Sequence, residues 1–586
     1  MTYQSKPASK AERGIDQHRH GGEAGPAGKG AEAVEGDRNP LAGNDPRAST
    51  AAPAKAGNWH RFKLQREADE APEWKPKLGP EIKYIPSELP LMVDLACKAA
   101  LKAGVAVYAR GTSLVRPVVI PSAEMSGHMK RPEGATILVT VDKAALVEIL
   151  TETADWRRAP SKEGKEWTPI PCPKVVAETT ISRRGKWPFP QLRGVISAPT
   201  MRPDGSIMNA PGFDPKTGIL FASELKWPQV PERPTMAVAR TELERLKDLV
   251  RTFPFVDDAD RSAALAMILT ALIRPCLPSA PMFGVSAPTP GTGKSKLVDV
   301  ASILATGRAA SVMSVPGEED ELKKQVGSAL MAGDSFLTLD NVEHPLRSAF
   351  LCQVLTQGSV EVRVLGESRK ETLPTGSTFC ATGNSLRFAG DLVRRVVLIN
   401  LDAGRERPED RVFKTDVVDE ARNGRGQLVA AALTVLRAFV VRHGEKIVPA
   451  LGGFERWSDL VRSALVWLGE ADPLGNASKV RDNDPEREKI SLIMAALPMG
   501  RSWTAAEICT NAAEEGSALN AALAAGNFTG RNGRFDAVGL GNYLRKHKGR
   551  IIDGKRIIDA GRNRNKITSW RVEDLSAPEA DDDVLW

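Results

Sequence analysis

Between about residues 275 and 440, short apolar runs alternate with segments whose apolar residues return at helical spacing, and this alternation predicts a doubly wound parallel sheet. Met282, Phe283, Val285 and Ala287 make one run of strand length. Leu297, Val298, Val300, Ala301 and Leu304 follow at the period of a helix. Residues 335–340, 377–383 and 396–400 are further strand-like runs, and Val360 to Leu365 alternates strictly before a second extended run that ends at Thr375, which reads as a hairpin. Upstream, Thr241-Glu242-Leu243-Glu244 has the spacing of a capping box and predicts a helix running through Val250. A second helix over about 260–273 completes an N-terminal helical collar for this core, which spans 240–445.

Outside the core the pattern changes. From 80 to 235 it is mixed: helix-like over 91–106, strand-like over 135–141 and turn-rich over 201–221, as expected of a small α/β accessory domain. Residues 446–500 read as a helical linker or lid. In 501–573 a capping box, Thr504-Ala505-Ala506-Glu507, precedes a helix over 535–547 and two strand-like runs over 550–558 and 567–572, the order of a winged helix. Residues 1–58 are rich in Gly, Ala, Pro and charge with no period and are expected to be disordered; residues 574–586 form an acidic tail.

Charge sharpens this picture by its distribution. The 586-residue chain carries a net charge of +7, and the span 541–572 alone holds ten basic residues against two acidic ones. Arg545, Lys546, Lys548, Arg562, Arg564 and Lys566 are therefore candidates for contacts with duplex DNA, whose phosphates such a patch would neutralise. The six cysteines are scattered without a CxxC pair, which points away from a zinc site or a disulfide framework and toward a reducing cytoplasm. The longest apolar stretch, 263–273, is too short for a bilayer span and stops at Arg274, so no membrane association is expected.

The chemistry is concentrated in Ala287-Pro288-Thr289-Pro290-Gly291-Thr292-Gly293-Lys294-Ser295, set between a strand and a helix. Pro290, Gly291, Thr292, Gly293, Lys294 and Ser295 are the expected ATP-binding residues: glycines let backbone N–H groups curl around phosphate oxygens, Lys294 reaches the β and γ phosphates and Ser295 can ligate Mg²⁺. Pro288 stands where the GxxxxGK[ST] pattern has its first glycine. Asp340, closing an apolar strand about 45 residues on, would share the Mg²⁺ with Ser295. Asn341 can orient a water but cannot take its proton, and Asn384, at the end of the next strand, can hydrogen-bond the γ phosphate or that water. Arg394 and Arg395 enter a buried strand together, which leaves two readings: an arginine finger supplied to a neighbouring subunit, or a salt bridge with Asp391 or Asp402. Arg369 and Lys370, at the tip of the expected hairpin, could grip single-stranded DNA. No acidic pair on alternate strand positions appears in 80–235, so polymerase or primase chemistry is not expected there.

In their order along the chain, Pro288 to Ser295, Leu339-Asp340-Asn341, the basic hairpin, Thr382-Gly383-Asn384 and Asp391 to Arg395 resemble the helicase module of phage and plasmid primase-helicases, superfamily-three helicases within the AAA+ class. The resemblance covers 240–440 well and 190–240 loosely, through Gly194 to Pro199 and the turn Arg202-Pro203-Asp204-Gly205. It implies a P-loop AAA+ type ATPase core and a homohexameric ring. It also implies ATP hydrolysis coupled to translocation on single-stranded DNA and to duplex unwinding, in the replication of a phage, prophage or plasmid inside a bacterial cell. By resemblance, Lys294, Ser295, Asp340, Asn384 and one of Arg394 or Arg395 carry the ATP chemistry, whereas Asn341 occupies a place where many AAA+ ATPases have a glutamate. Two other readings of the same residues stay open: a replication initiator or helicase loader that does not unwind, and an ATP-switched DNA-binding module without turnover. The end Asp581-Asp582-Asp583-Val584-Leu585-Trp586 resembles the tails with which single-strand-binding proteins dock replication partners.

Overall fold

The computed structural model describes residues 79–575, apart from 127–128, 162–164, 365, 367–368, 531–532 and 564–565. The N-terminal segment 1–58, Arg564 and all but the first two residues of the acidic tail lie outside the described residues.

Five parallel strands form the centre: β1 (Met282–Ala287), β2 (Ser311–Ser314), β3 (Phe336–Asp340), β4 (Thr378–Asn384) and β5 (Val396–Asn400). Their order across the sheet is β5-β1-β4-β3-β2. All six residues of β1 are buried, so this strand needs a neighbour on each edge and helices on each face, which is why it reads as an unbroken apolar run. The helix α2 (Asp258–Ile273) is buried over nearly its whole length and packs against β5 and against α3 (Lys294–Thr306). Its all-round apolar sequence is that of a core helix.

The collar begins earlier than the Thr241 capping box predicts. Helix α1 spans Met236–Leu249 and is capped by Thr235, whose hydroxyl accepts from Val238 N at 3.2 Å. Thr241 lies inside this helix and donates to Ala237 O at 3.2 Å. Ala239, Leu243, Leu246 and Leu249 form one buried stripe, and that stripe starts before Thr241, so packing overrides the local cap signal.

The accessory region 80–235 has a core of its own around Val93, Ala96, Leu146, Leu150, Trp156 and Val176. Asp142, which the sequence leaves isolated, caps the helix Lys143–Thr153 by accepting from Ala145 N at 2.8 Å. This region also contributes to the central sheet. Met129–Arg131 pairs antiparallel with β2, opposing Met129 to Met313 and Lys130 to Val312, and Glu124–Ser126 pairs with Met129–Arg131, so the sheet has seven strands. The seam is held by Arg131, whose guanidinium meets the Asp334 carboxylate at 2.8–3.1 Å with both side chains buried.

At the other end a separate core joins Ile508, Leu540, Leu544, Ile557 and Trp570. Ile490, Ile493 and Met494 belong to it, so the helix Pro485–Ala496 packs with this C-terminal module. Both halves of the capping box form: Thr504 accepts from Glu507 N, and Glu507 accepts from Thr504 N at 2.7 Å. The helix Ala537–His547 is followed by the hairpin Lys555–Arg562 and Thr568–Asp574. No single helix among the described residues is long and apolar enough to cross a membrane.

Candidate functional site

The turn between β1 and α3 takes its shape from two glycines. Gly291 has φ +72° and Gly293 has φ +105°, a region that residues with a Cβ rarely adopt. Gly293 is the N-cap of α3, whose first turn leaves backbone N–H groups without intrahelical partners. Thr292 is buried under the turn and its hydroxyl donates to Thr289 O at 2.8 Å, which fixes the loop against itself.

Strand order brings the rest together. Because β4 lies between β1 and β3, the parallel register sets Asn384 beside Ala287, at the root of the loop, while Ala381 stands beside Leu339, one residue before Asp340. Lys294 Nζ donates to Asn384 Oδ1 at 2.8 Å and to Thr289 O at 3.2 Å. Burial holds the Lys294 ammonium below its ordinary pKa, against the attraction of Asp340. The Thr382 hydroxyl donates to Asp340 Oδ1. Asn341 takes a left-handed φ of +52°, its amide N–H donates to Thr382 Oγ1 at 3.3 Å and its Nδ2 donates to Glu343 Oε1 at 3.0 Å. Pro290 to Ser295, Asp340, Asn341 and Asn384 all line one open cleft of about 770 Å³.

Arg394 and Arg395 are not part of this cleft's lining. They end the short turn Gly390–Arg395 and both pair with Asp391, Arg395 at 2.6 Å, so within one chain the salt bridge forms. The hydrogen bond from Arg394 holds the Asp391 carboxyl below the usual range. Asp402 instead accepts from Gly404 N at 2.8 Å. The two arginines differ in access: the Arg394 side chain is 61% exposed and that of Arg395 11%.

The hairpin expected before β4 is present as Ser359–Arg363 and Lys370–Pro374. Its two basic residues part company. Lys370 is exposed and pairs with Glu361 at 3.1 Å. Arg369 corrects the expectation of a projecting pair, because it turns back onto Glu371 and onto Ser113 Oγ at 3.2 Å. Glu371 is buried and accepts from Thr112 N at 2.8 Å and from Ser113 Oγ at 2.7 Å, so this seam to the accessory region needs a compensating cation. In the C-terminal module Arg545, Lys546, Lys548, Arg562 and Lys566 are all exposed; Lys546 pairs with Glu486 at 3.3 Å and Lys548 with Asp559 at 3.2 Å.

No family model and no curated protein matches this chain. Its similarity to solved structures is distant, as three of them illustrate. The NrS-1 C-terminal region shares 11% identity at a TM-score of 0.34, over 68% of this chain and 78% of that one. A structure described as SCCmec type IV Cch, active helicase, shares 10% identity at a TM-score of 0.34, over 80% of this chain and 98% of that one. The JCV helicase shares 13% identity at a TM-score of 0.19, over 42% and 73%.

Two parts of the site carry no local signal in the sequence. Thr382 is one of several threonines in apolar strands, and only the pairing of β3 with β4 puts its hydroxyl on Asp340. The far wall of the cleft comes from Thr252, Phe253 and the segment 408–417, a charged stretch with no period. There Lys296, on α3, pairs with Asp416 at 2.8 Å, and the Arg411 guanidinium lies 4.7 Å from the Phe413 ring centroid. Glu409 packs so closely on Gly291 that a Cβ at that position would come within 2.7 Å of Glu409 Oε2.

Proposed function

We propose that this chain is an ATP-dependent DNA helicase, a P-loop motor of the AAA+ class that works as a homohexameric ring on single-stranded DNA during replication of a phage, prophage or plasmid. The observation that carries the reading is the insertion of β4 between β1 and β3, which sets the Asn384 amide between a glycine-turned loop and a strand-end carboxylate. Phosphate, metal and water each have a matching group there.

In this reading the backbone N–H groups from Gly291 to Ser295 and the Lys294 ammonium hold the β and γ phosphates of ATP. The donor set fits Mg²⁺: Ser295 and Asp340 are hard oxygen donors lining the same cleft, and the Thr382 hydroxyl engages one Asp340 oxygen while leaving the other for a cation. Bound there, Mg²⁺ supplies charge neutralisation at the phosphates. Asn384 orients the attacking water, and Lys294, already hydrogen-bonded to Asn384, fixes where that water stands relative to the γ phosphate. Arg394, the exposed member of the arginine pair, is the better placed to reach a neighbouring subunit's ATP. Lys370 grips the threaded strand, and the winged-helix-like module 501–573 holds duplex DNA.

The test is ATP turnover measured with single-stranded and forked DNA, together with strand displacement on the fork. DNA-stimulated turnover with displacement supports the motor; turnover without displacement supports an initiator or loader. Asn341 favours a further reading, an ATP-switched DNA-binding module, since its side chain cannot accept the water's proton. Nucleotide binding with no turnover on any DNA would establish that reading in place of the motor.

A further inference from the structure

The helix Ala537–His547 turns one stripe to solvent. Val538, Asn542 and Arg545, four and three residues apart, are exposed, while Leu540 and Leu544 are buried in the core of the module. Five of the basic residues around this helix are paired within the chain. Lys546 pairs with Glu486 at 3.3 Å, Lys548 with Asp559 at 3.2 Å, Arg550 with Asp484 at 3.4 Å, and Arg556 and Arg571 with Glu573 at 2.8 and 3.4 Å. Arg545 is held differently. Its Nη1 donates to Asn542 Oδ1 at 2.9 Å, and it forms no ion pair among the described residues.

A guanidinium hydrogen-bonded to a neutral amide and to no carboxylate keeps its charge uncompensated. The same hydrogen bond turns Asn542 Oδ1, which keeps one further lone pair, toward the guanidinium. The pair therefore presents donors outward: the remaining guanidinium N–H groups and the Asn542 Nδ2 hydrogens. In the major groove guanine offers two acceptors, N7 and O6, every purine offers N7, and cytosine offers a donor that such a pair would meet unfavourably. Val538, 74% exposed at the start of the stripe, has the apolar surface that suits a thymine methyl group.

We propose that Val538, Asn542 and Arg545 read base edges in the major groove of duplex DNA, Arg545 on a guanine and Asn542 on the N7 of a neighbouring purine, which makes the C-terminal module selective for a guanine-containing site. Arg562 and Lys566 then serve as phosphate contacts that do not distinguish sequence. The inference rests on the reading of 501–573 as a DNA-binding module.

The experiment uses the full chain at about physiological ionic strength and a pool of randomised duplexes, with affinity then measured for the selected site and for random duplex. The wild type enriches a site with a guanine at its centre. Arg545→Lys, which keeps the charge and loses the planar fork, lowers affinity for the selected site by about tenfold to hundredfold and leaves random-duplex affinity within about twofold. Asn542→Ala relaxes the choice at one neighbouring position. Lys566→Ala weakens selected and random duplexes alike and flattens the salt dependence. Salt-dependent binding of duplex with no enriched site would overturn base reading and leave the module a backbone binder. No duplex binding at all would overturn the module's DNA-binding role, and this inference with it.

Discussion

The Lys294 ammonium and the Asn384 side-chain oxygen are hydrogen-bonded at 2.8 Å, which joins the glycine-turned loop to the end of β4 across 90 residues of sequence. Replacing either end should separate binding from turnover. Lys294→Ala is expected to abolish ATP turnover while leaving the thermal melt within a few degrees of wild type, since the side chain is only partly buried. Asn384→Ala is expected to lower kcat by about 10²–10³ with little change in KM, as for the loss of one oriented polar group at a reacting phosphate. Steady-state kinetics beside a melting curve check both, and a Lys294→Ala protein that still turns over ATP would remove this cleft as the site.

The Thr382 hydroxyl bound to Asp340 leads to a prediction about metal demand. Thr382→Val keeps shape and removes the hydroxyl, so Asp340 loses the group that orients it. The Mg²⁺ concentration for half-maximal turnover should rise by about 10–100-fold, with kcat largely restored at high Mg²⁺. A Mg²⁺ titration of turnover reads this out directly.

Asp260 should give the fold a pH signature. Its carboxylate is wholly buried, accepts from Asn400 N at 2.8 Å and from Asn476 Nδ2 at 2.8 Å, and is pushed up to about 6, chiefly by burial. A folded-state pKa above the unfolded value means the native state binds the proton more tightly, so this group's contribution to stability falls as pH rises from about 4 to 6. Asp260→Asn lacks that fall. The melting temperature of the variant relative to wild type should therefore become more favourable between pH 4 and pH 7, by up to about 3 kcal/mol in stability; a difference that does not change with pH would contradict it.

The buried Arg131–Asp334 pair ties the accessory region to the central sheet. Asp334→Ala leaves a buried guanidinium without its carboxylate and should cost about 3–5 kcal/mol, whereas changing both partners to apolar residues should recover much of that loss. Hydrogen exchange should locate the effect in 129–131 and 311–314, where the two regions share backbone hydrogen bonds.

The two basic residues of the hairpin should behave differently from one another. Lys370→Ala is expected to reduce strand displacement while ATP turnover persists, because Lys370 is exposed. Arg369→Ala should act first on the seam with Thr112 and Ser113, by removing the cation beside buried Glu371, and should appear as a lower melting temperature. Displacement and melting measured on both variants distinguish a gripping residue from a seam residue.

What the chain reveals locally is what its buried strands reveal. β1, β3, β4 and β5 are apolar runs that stop at a loop or a polar residue, so Asp340, Asn384 and the loop could be placed at strand ends before any pairing was known. Pairing partners are not local. Nothing near Met129 marks it as a neighbour of Met313, because that register is set across more than 180 residues by the sheet as a whole. The start of α1 at Met236, against a well-formed Thr241 signal, shows a buried stripe prevailing over a cap worth about 1 kcal/mol. The 408–417 wall was illegible for a third reason: a charged loop has no period, and only the fold brings it opposite Gly291.

The strands at 124–126 and 129–131 also act as a guard. β2 would otherwise end the parallel sheet with a row of unpaired backbone groups, the feature that lets one chain add to another edge to edge. A chain shortened to begin after residue 190 would keep every residue that lines the cleft around Lys294 and lose this cover. It should be soluble only as far as its exposed edge allows, so the accessory region shields the sheet from self-association.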